Sequence, residues 1–200
     1  MIYLLFVSTC LGFKLNPEWP VIKYFQGYSF LKLNDYWNIV EPGHPSLPFK
    51  ACFVLVPSGE RVENIKIEKI DSAIISLDAP VFPAQKPVPV GYEKDFIKFV
   101  SPDSKIYGSR SPYPPYDYKI LGEQKAGPFS VLLLNLYPVK YVPYHNLVVV
   151  YDYKVSIFCR RQNYVEIRPY TKKQYFLFKK TLENLVVNPE TFESYPVERR

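Results

Sequence analysis

Two histidines and three cysteines are all the sequence offers, in 200 residues, of the side chains that most often do nucleophilic or metal chemistry. Neither His44 nor His145 belongs to an HExxH pair, and the cysteines form no CxxC. Zinc-type ligand spacing and a redox pair are therefore excluded. A GxSxG elbow, a phosphate-cradling glycine loop and a GxGxxG turn are missing as well, which removes the common hydrolase, nucleotide and dinucleotide signatures. His44 sits between Gly43 and Pro45, and His145 lies in turn-forming sequence, so neither has a nucleophile placed beside it by spacing. No catalytic residue, cofactor or metal site is assigned.

Glycine is scarce, at 8, whereas proline is abundant, at 20, about twice ordinary usage. Long helices are disfavoured by that balance, and short Pro-bounded strands are favoured. The 18 Tyr and 14 Phe agree, because aromatic side chains fit a pleated, half-buried surface. No apolar run reaches the ~20 residues of a membrane helix, so no stable membrane span is expected. The net charge of +6 comes partly from basic doublets scattered through the last fifth of the chain, with no RNA-binding motif among them. A solvated surface or a mildly basic face toward an acidic partner is expected, and no nucleic-acid partner.

The start, MIYLLFVSTCLGF, has the length of a signal-peptide core. Residues 1–14 are read as a signal peptide leading to a secreted, periplasmic or cell-surface location. A first β-strand is the alternative, since no Lys or Arg precedes the apolar run and no small-x-small site follows it. Cys52 and Cys159 both lie in strand-like runs and are either buried small hydrophobes or, if the strands are adjacent, one disulfide.

Along the chain, Phe49–Pro57 is apolar on both faces, as for a strand inside a sandwich, and Pro57-Ser58-Gly59 ends it. Arg61–Glu68 alternates, then Ile70 breaks phase, which calls for a bulge or strand end near Lys69. Ala73–Leu77, Asp95–Val100 and Tyr116–Leu121 are shorter strands. Prolines at 80, 83, 87 and 89 keep residues 79–91 extended along a surface. Phe129–Leu136 and Leu147–Phe158 are the strongest strands, and Pro143–Asn146 between them predicts a hairpin. Residues 101–115 form a long loop of turn formers, a length that is commonly functional or mobile. Thr171-Lys172-Lys173-Gln174 has capping-box spacing, and Tyr175, Phe178, Leu182, Leu185 and Val186 share one helical face, which predicts a helix over about 172–187. The fold class is all-β, an antiparallel β-sandwich over residues 15–168 with one C-terminal α-helix over 169–188.

Five short segments, in order, carry a resemblance: Gly43-His44-Pro45-Ser46-Leu47-Pro48, Pro57-Ser58-Gly59, Pro83-Ala84-Gln85-Lys86-Pro87, Tyr113-Pro114, and Pro138-Val139-Lys140-Tyr141-Val142-Pro143 leading to Leu147 and Val150-Tyr151. Together they resemble the propeptide of the gingipain-type cysteine peptidases, over about Glu41 to Asn188. The resemblance implies an all-β domain that helps an adjoining catalytic domain fold and keeps it latent; its partner, in cis or in trans, is that peptidase domain, which this chain does not contain. It further implies an inhibitory loop, for which Arg110 and then Lys105 are the candidates, with an ordinary solvated surface as the alternative for each. Residues 189–200 are then an exposed linker toward the catalytic domain, with Arg199 and Arg200 as processing candidates. The competing reading is an exported β-sandwich module that binds glycans or partner proteins, with Trp19, Trp37 or Tyr113 as stacking platforms.

Overall fold

The computed structural model describes residues 8–88, 98–162 and 170–198. Ten strands occur among them, all paired antiparallel within their sheets. They are β1 (Ser8–Leu15), β2 (Val21–Phe25), β3 (Tyr28–Lys32), β4 (Trp37–Asn38), β5 (Pro48–Val56), β6 (Glu60–Ser76), β7 (Tyr118–Ala126), β8 (Phe129–Leu136), β9 (Val139–Val142) and β10 (Leu147–Arg161). One sheet is built on β10, with β6 along one edge and, on the other, β9 followed by β1. The second has the order β4-β5-β8-β7, and β2-β3 is a separate hairpin. The sandwich with a single C-terminal helix of any length is therefore present as expected.

The central core lies between the two large sheets. Val54, Val56, Leu132, Leu134 and Leu136 from one meet Ile65, Tyr153, Val155 and Ile157 from the other. β8 and β10 thus oppose each other across the sandwich, and the hairpin expected of them does not form. Pro138 separates β8 from β9, and the Pro143–Asn146 turn instead joins β9 to β10, with Asn146 at φ 50°. Their common apolar content comes from facing each other, not from pairing.

β10 buries opposite faces at its two ends. Val148 and Val150 enter a second cluster with Leu31, Leu47, Val81 and Tyr141, whereas Tyr153, Val155, Ile157 and Cys159 enter the central core. On β6 the register slips between the pairs Asp152↔Asp71 and Tyr153↔Lys69, which leaves Ile70 as an extra, exposed residue. The bulge anticipated near Lys69 is thereby located, and it lets Ile67 and Ile75 pair with Val155 and Val148 although β10 has changed its buried face. Ala73–Ser76 continues β6 and is not a separate strand.

β5 is apolar on both faces for a different reason from the one expected. Its outer face is covered by the C-terminal segment, α2 (Lys172–Leu182) and a 3-10 turn at Pro189–Ser194. Thr171 caps α2 by accepting from the Gln174 N–H, as the sequence spacing requires. The helix stops at Leu182, short of the expected end near 187, because Val186 and Val187 leave it to run along β5. At the turn from β7 to β8, Gly127 has φ +59° and passes beneath Phe178, so that a Cβ there would lie 2.4 Å from the ring.

Residues 189–198 are not an exposed linker. Phe192 and Tyr195, three apart around the 3-10 turn, close on Phe129 with ring centroids at 4.8 and 4.9 Å, and Tyr175 completes the cage at 5.4 Å. The prolines and acidic residues of this stretch suggested solvent; its two aromatics anchor it. Arg199 and Arg200 lie outside the described residues, as do residues 1–7 and 89–97. Residues 8–14 of the expected signal segment form most of β1, bonded along β10, so the alternative of a first strand holds there. Residues 98–100 are not a strand, the remainder of the expected 95–100 strand lies outside the described residues, and the strand expected at 116–121 starts at Tyr118 and continues to Ala126.

Lys140, on β9, is buried, with its ammonium 3.0 Å from Asp117 Oδ1. Burial acts to raise the Asp117 pKa, but hydrogen bonds from Lys140, Tyr153 and Lys69 overcome it and hold the carboxyl below the usual range. The unfolded chain therefore binds more protons than the native one just below pH 4, and stability rises with pH through that window. The Asp117 contribution is complete above about pH 5 and is lost as pH falls through the depressed folded-state pKa. Urea midpoints between pH 5 and pH 3 are expected to fall more steeply in the native sequence than in Asp117→Asn.

Candidate functional site

Four of the five segments that carry the family resemblance meet at one end of the sandwich. The Gly43–Pro48 and Pro83–Pro87 segments run against each other, with Gly43 N–H donating to Ala84 O at 2.8 Å, Ala84 N–H to His44 O at 2.7 Å and Ser46 N–H to Phe82 O at 2.9 Å. Tyr113 exchanges two backbone hydrogen bonds of 2.8 Å with Tyr141 in the Pro138–Pro143 segment, and the Tyr113–Pro114 bond is cis. The Tyr113 hydroxyl lies 2.9 Å from His44 Nδ1, which joins the two pairs of segments. Burial raises the Tyr113 phenol, so it stays protonated. The fifth segment stands apart, where Gly59 O accepts from Gln162 N–H and Ser58 N–H donates to Ser194 Oγ.

This junction carries the 101–115 loop, which is tied down by hydrogen bonds at several points although much of it faces solvent. Asp103 N–H donates to Gly43 O at 2.9 Å, and Gln85 brackets Val100 with bonds of 2.8 and 3.1 Å. Gly43 itself needs its glycine, because at φ +83° a Cβ would lie 3.2 Å from Ser101 O. Asp103 then caps the single turn α1 (Ser104–Tyr107), whose Tyr107 hydroxyl donates to Val81 O at 2.8 Å. The solvent-facing side of the loop runs from Ser104 and Lys105 to its crest at Arg110–Pro112. Arg110 is on it, exposed, with its guanidinium 4.4 Å from the centroid of the exposed Tyr144 ring. Lys105 is exposed on α1.

The nucleophile candidates are far from reactive. Burial pushes the Cys52 thiol up to about 11 and the Cys159 thiol up to about 12, and both are free, on facing sheets. His44 is engaged by Tyr113 and lies 3.3 Å from Glu41. Among the described residues no group of three or more His, Cys, Asp or Glu is placed to hold a metal ion. No described helix is long and apolar enough to cross a membrane. We expect one thiol, the exposed Cys10, to react promptly with a disulfide reagent in the native chain, and all three after denaturation. A spectrophotometric thiol titration checks this; two fast thiols in the native state would contradict the placement of Cys52 and Cys159.

The stacking platforms of the glycan-binding reading are dispersed. Trp19 and Trp37 are exposed, but Trp19 lies beside Asp71 and Asp152 on the β6–β10 sheet, whereas Trp37 is on β4 at the edge of the other, and Tyr113 is buried. Two further features escaped sequence reading. Lys140 looks like an ordinary solvated residue of an edge strand, yet it donates to the carbonyls of Pro114 at 3.0 Å and Tyr116 at 2.5 Å and so ties the loop to β9. Asn188, the last residue of the segment assigned to the C-terminal helix, is instead buried against β5. The sole hint in either case was a polar residue flanked by apolar ones.

No protein-family model and no curated protein matches the sequence. Solved structures do match the fold. One is a complex of the Porphyromonas gingivalis RgpB pro- and mature domains, with a TM-score of 0.69 and 17% identity, over 90% of this chain and 93% of that one. Another concerns the zymogenic latency of gingipain K from the same organism, with a TM-score of 0.60 and 15% identity, over 82% of this chain and 97% of that one. At these identities the likeness is one of fold: the chain folds as a gingipain-type propeptide does.

Proposed function

We propose that this chain is the propeptide of a gingipain-type cysteine endopeptidase, serving as folding template and latency-maintaining inhibitor of the peptidase's catalytic domain, in cis or in trans. The observation that carries the reading is the fold likeness, over nine tenths of the chain, to a structure of pro- and mature domains in complex. A buried pair of high-pKa thiols and an engaged His44 fit a non-catalytic role. Export belongs to the same reading, and β1, bonded along β10, is then retained in the exported chain.

Arg110 is the residue assigned to the peptidase cleft. Its crest is fixed from below by Asp103, Tyr107, Tyr113 and Lys140, and its guanidinium already rests on Tyr144, so little conformational freedom is left to lose on binding. Lys105, one turn of helix away from the crest, is the secondary candidate. Arg110→Ala is expected to weaken inhibition of a gingipain-type peptidase by roughly 100-fold, the loss of one buried interfacial anchor, and Lys105→Ala by less. Steady-state inhibition assays on Arg- and Lys-containing peptides measure both; equal inhibition by Arg110→Ala and the native chain would remove Arg110 from the cleft. The reading as a whole is tested by co-expression. The peptidase domain is expected to accumulate soluble and latent with this chain, and as aggregate or self-digested fragments without it.

A further inference from the structure

The outer face of the β2–β3 hairpin gathers aromatic rings that the core does not use. Register places Phe25 opposite Tyr28 and Lys23 opposite Phe30 on this face, with Val21 opposite Lys32 beside them. Phe82 stands at the centre, with ring centroids at 6.3 Å from Phe25, 5.9 Å from Tyr28, 6.2 Å from Phe30 and 6.1 Å from Phe99. Phe25 remains 57% and Phe99 47% exposed. Between Lys23, Tyr24, Phe25, Phe30 and Phe82 lies an open groove of about 400 Å³.

The chemistry of the groove selects among occupants. Its walls hold few free polar groups, because the Tyr24 hydroxyl is already bonded to Asp78 at 2.9 Å. A sugar, which needs several directed hydrogen bonds, would leave its hydroxyls unpaired there. The rings around Phe82 meet it at 56 to 90°, so they form a notch for an inserted side chain and no flat platform. Lys23 and Lys32, exposed and without an ion pair among the described residues, outnumber the single Asp78 carboxylate that Tyr24 engages and leave the rim net positive. We infer that this groove is the second anchor on the peptidase domain, taking an apolar side chain flanked by carboxylates on the surface of that domain; this rests on the propeptide reading above. Aromatic pockets of this kind supply the energetic centres of interfaces, and a charged rim sets the association rate.

The test uses the full chain, its Phe25→Ser variant and its Lys23→Glu/Lys32→Glu variant, with the mature gingipain-type peptidase of the same organism as probe. Both variants change exposed side chains and are expected to melt within about 2 °C of the native chain, consistent with the small effects of surface substitutions. Phe25→Ser is expected to raise the inhibition constant roughly 10- to 100-fold. The double charge variant is expected to slow association about 10-fold at low salt and to flatten its salt dependence. Inhibition by the native chain with both variants unchanged would overturn the groove assignment and leave the propeptide reading standing. A native chain that neither binds nor inhibits would overturn both. Dimers in sedimentation that Phe25→Ser abolishes, or retention on polysaccharide that it abolishes, would make a second copy or a glycan the occupant and overturn the assignment.

Discussion

Replacing Asn188 by alanine is expected to destabilise the chain by about 3 kcal/mol, at 1–3 kcal/mol for each buried group left unsatisfied. The side chain accepts from Leu55 N–H and donates to Leu55 O, both at 2.8 Å, and to Thr191 Oγ1 at 2.9 Å. Those two Leu55 groups lie on the edge of β5 away from β8. Val187 N–H continues the same edge by donating to Phe53 O at 2.9 Å, so Val186–Asn188 serves as a substitute strand along an otherwise unpaired edge. Tyr195 completes the attachment, its hydroxyl bonding Ser130 N–H at 2.9 Å and Val56 O at 2.5 Å. Asn188→Asp is expected to be nearly as damaging, since a carboxylate keeps the acceptor for Leu55 N–H but sets negative charge against Leu55 O. Urea unfolding, read as a change in midpoint at constant slope, measures both variants. A loss below 1 kcal/mol for Asn188→Ala would mean that the C-terminal strap is held by its aromatics alone.

Lys140→Met is the second large effect, expected to cost about 3 kcal/mol because it leaves two carbonyls without their buried donor and Asp117 with only the half-exposed Lys69 as its cation. Burial lowers the Lys140 pKa and Asp117 opposes that shift, so the ammonium is the form the site is built for. Removing Asp117 as well is expected to recover part of the loss, since the charge that then loses its partner is Lys69, which is half-exposed and can be solvated, and a double-mutant cycle separates the two contributions. Function should follow stability here. The carbonyls of Pro114 and Tyr116 that Lys140 binds are the base of the Arg110 crest, so Lys140→Met is also expected to weaken inhibition even at temperatures where the chain stays folded.

Local features were the ones legible in the sequence. The bulge was visible because Ile70 breaks a period-2 pattern, and the Thr171 cap because three residues set its geometry. Pairing was not legible. β8 and β10 have equally apolar sequences whether they are neighbours in one sheet or opposed across a core, and nothing within either strand distinguishes the two. β5 shows the same limit, since apolar residues on both faces report that both are covered without reporting by what. The C-terminal strap misled because composition over twelve residues outweighed two aromatics whose spacing matches a 3-10 turn. At the site, the motif segments were found in order along the chain, but their meeting through His44 and Tyr113 depends on residues 69 apart. The 101–115 loop was located, yet its packing hangs on Gly43, Gln85 and Lys140, none of which lies within it.

The most direct measurement is titration of the purified chain against the active mature domain of a gingipain-type cysteine peptidase from the same organism, with residual hydrolysis and sedimentation followed together. The account predicts a one-to-one complex in which hydrolysis is abolished, with an inhibition constant in the nanomolar range expected of an interface of standard inhibitor size, about 1,200 to 2,000 Å². Undiminished hydrolysis with both proteins sedimenting separately at micromolar concentration would contradict it.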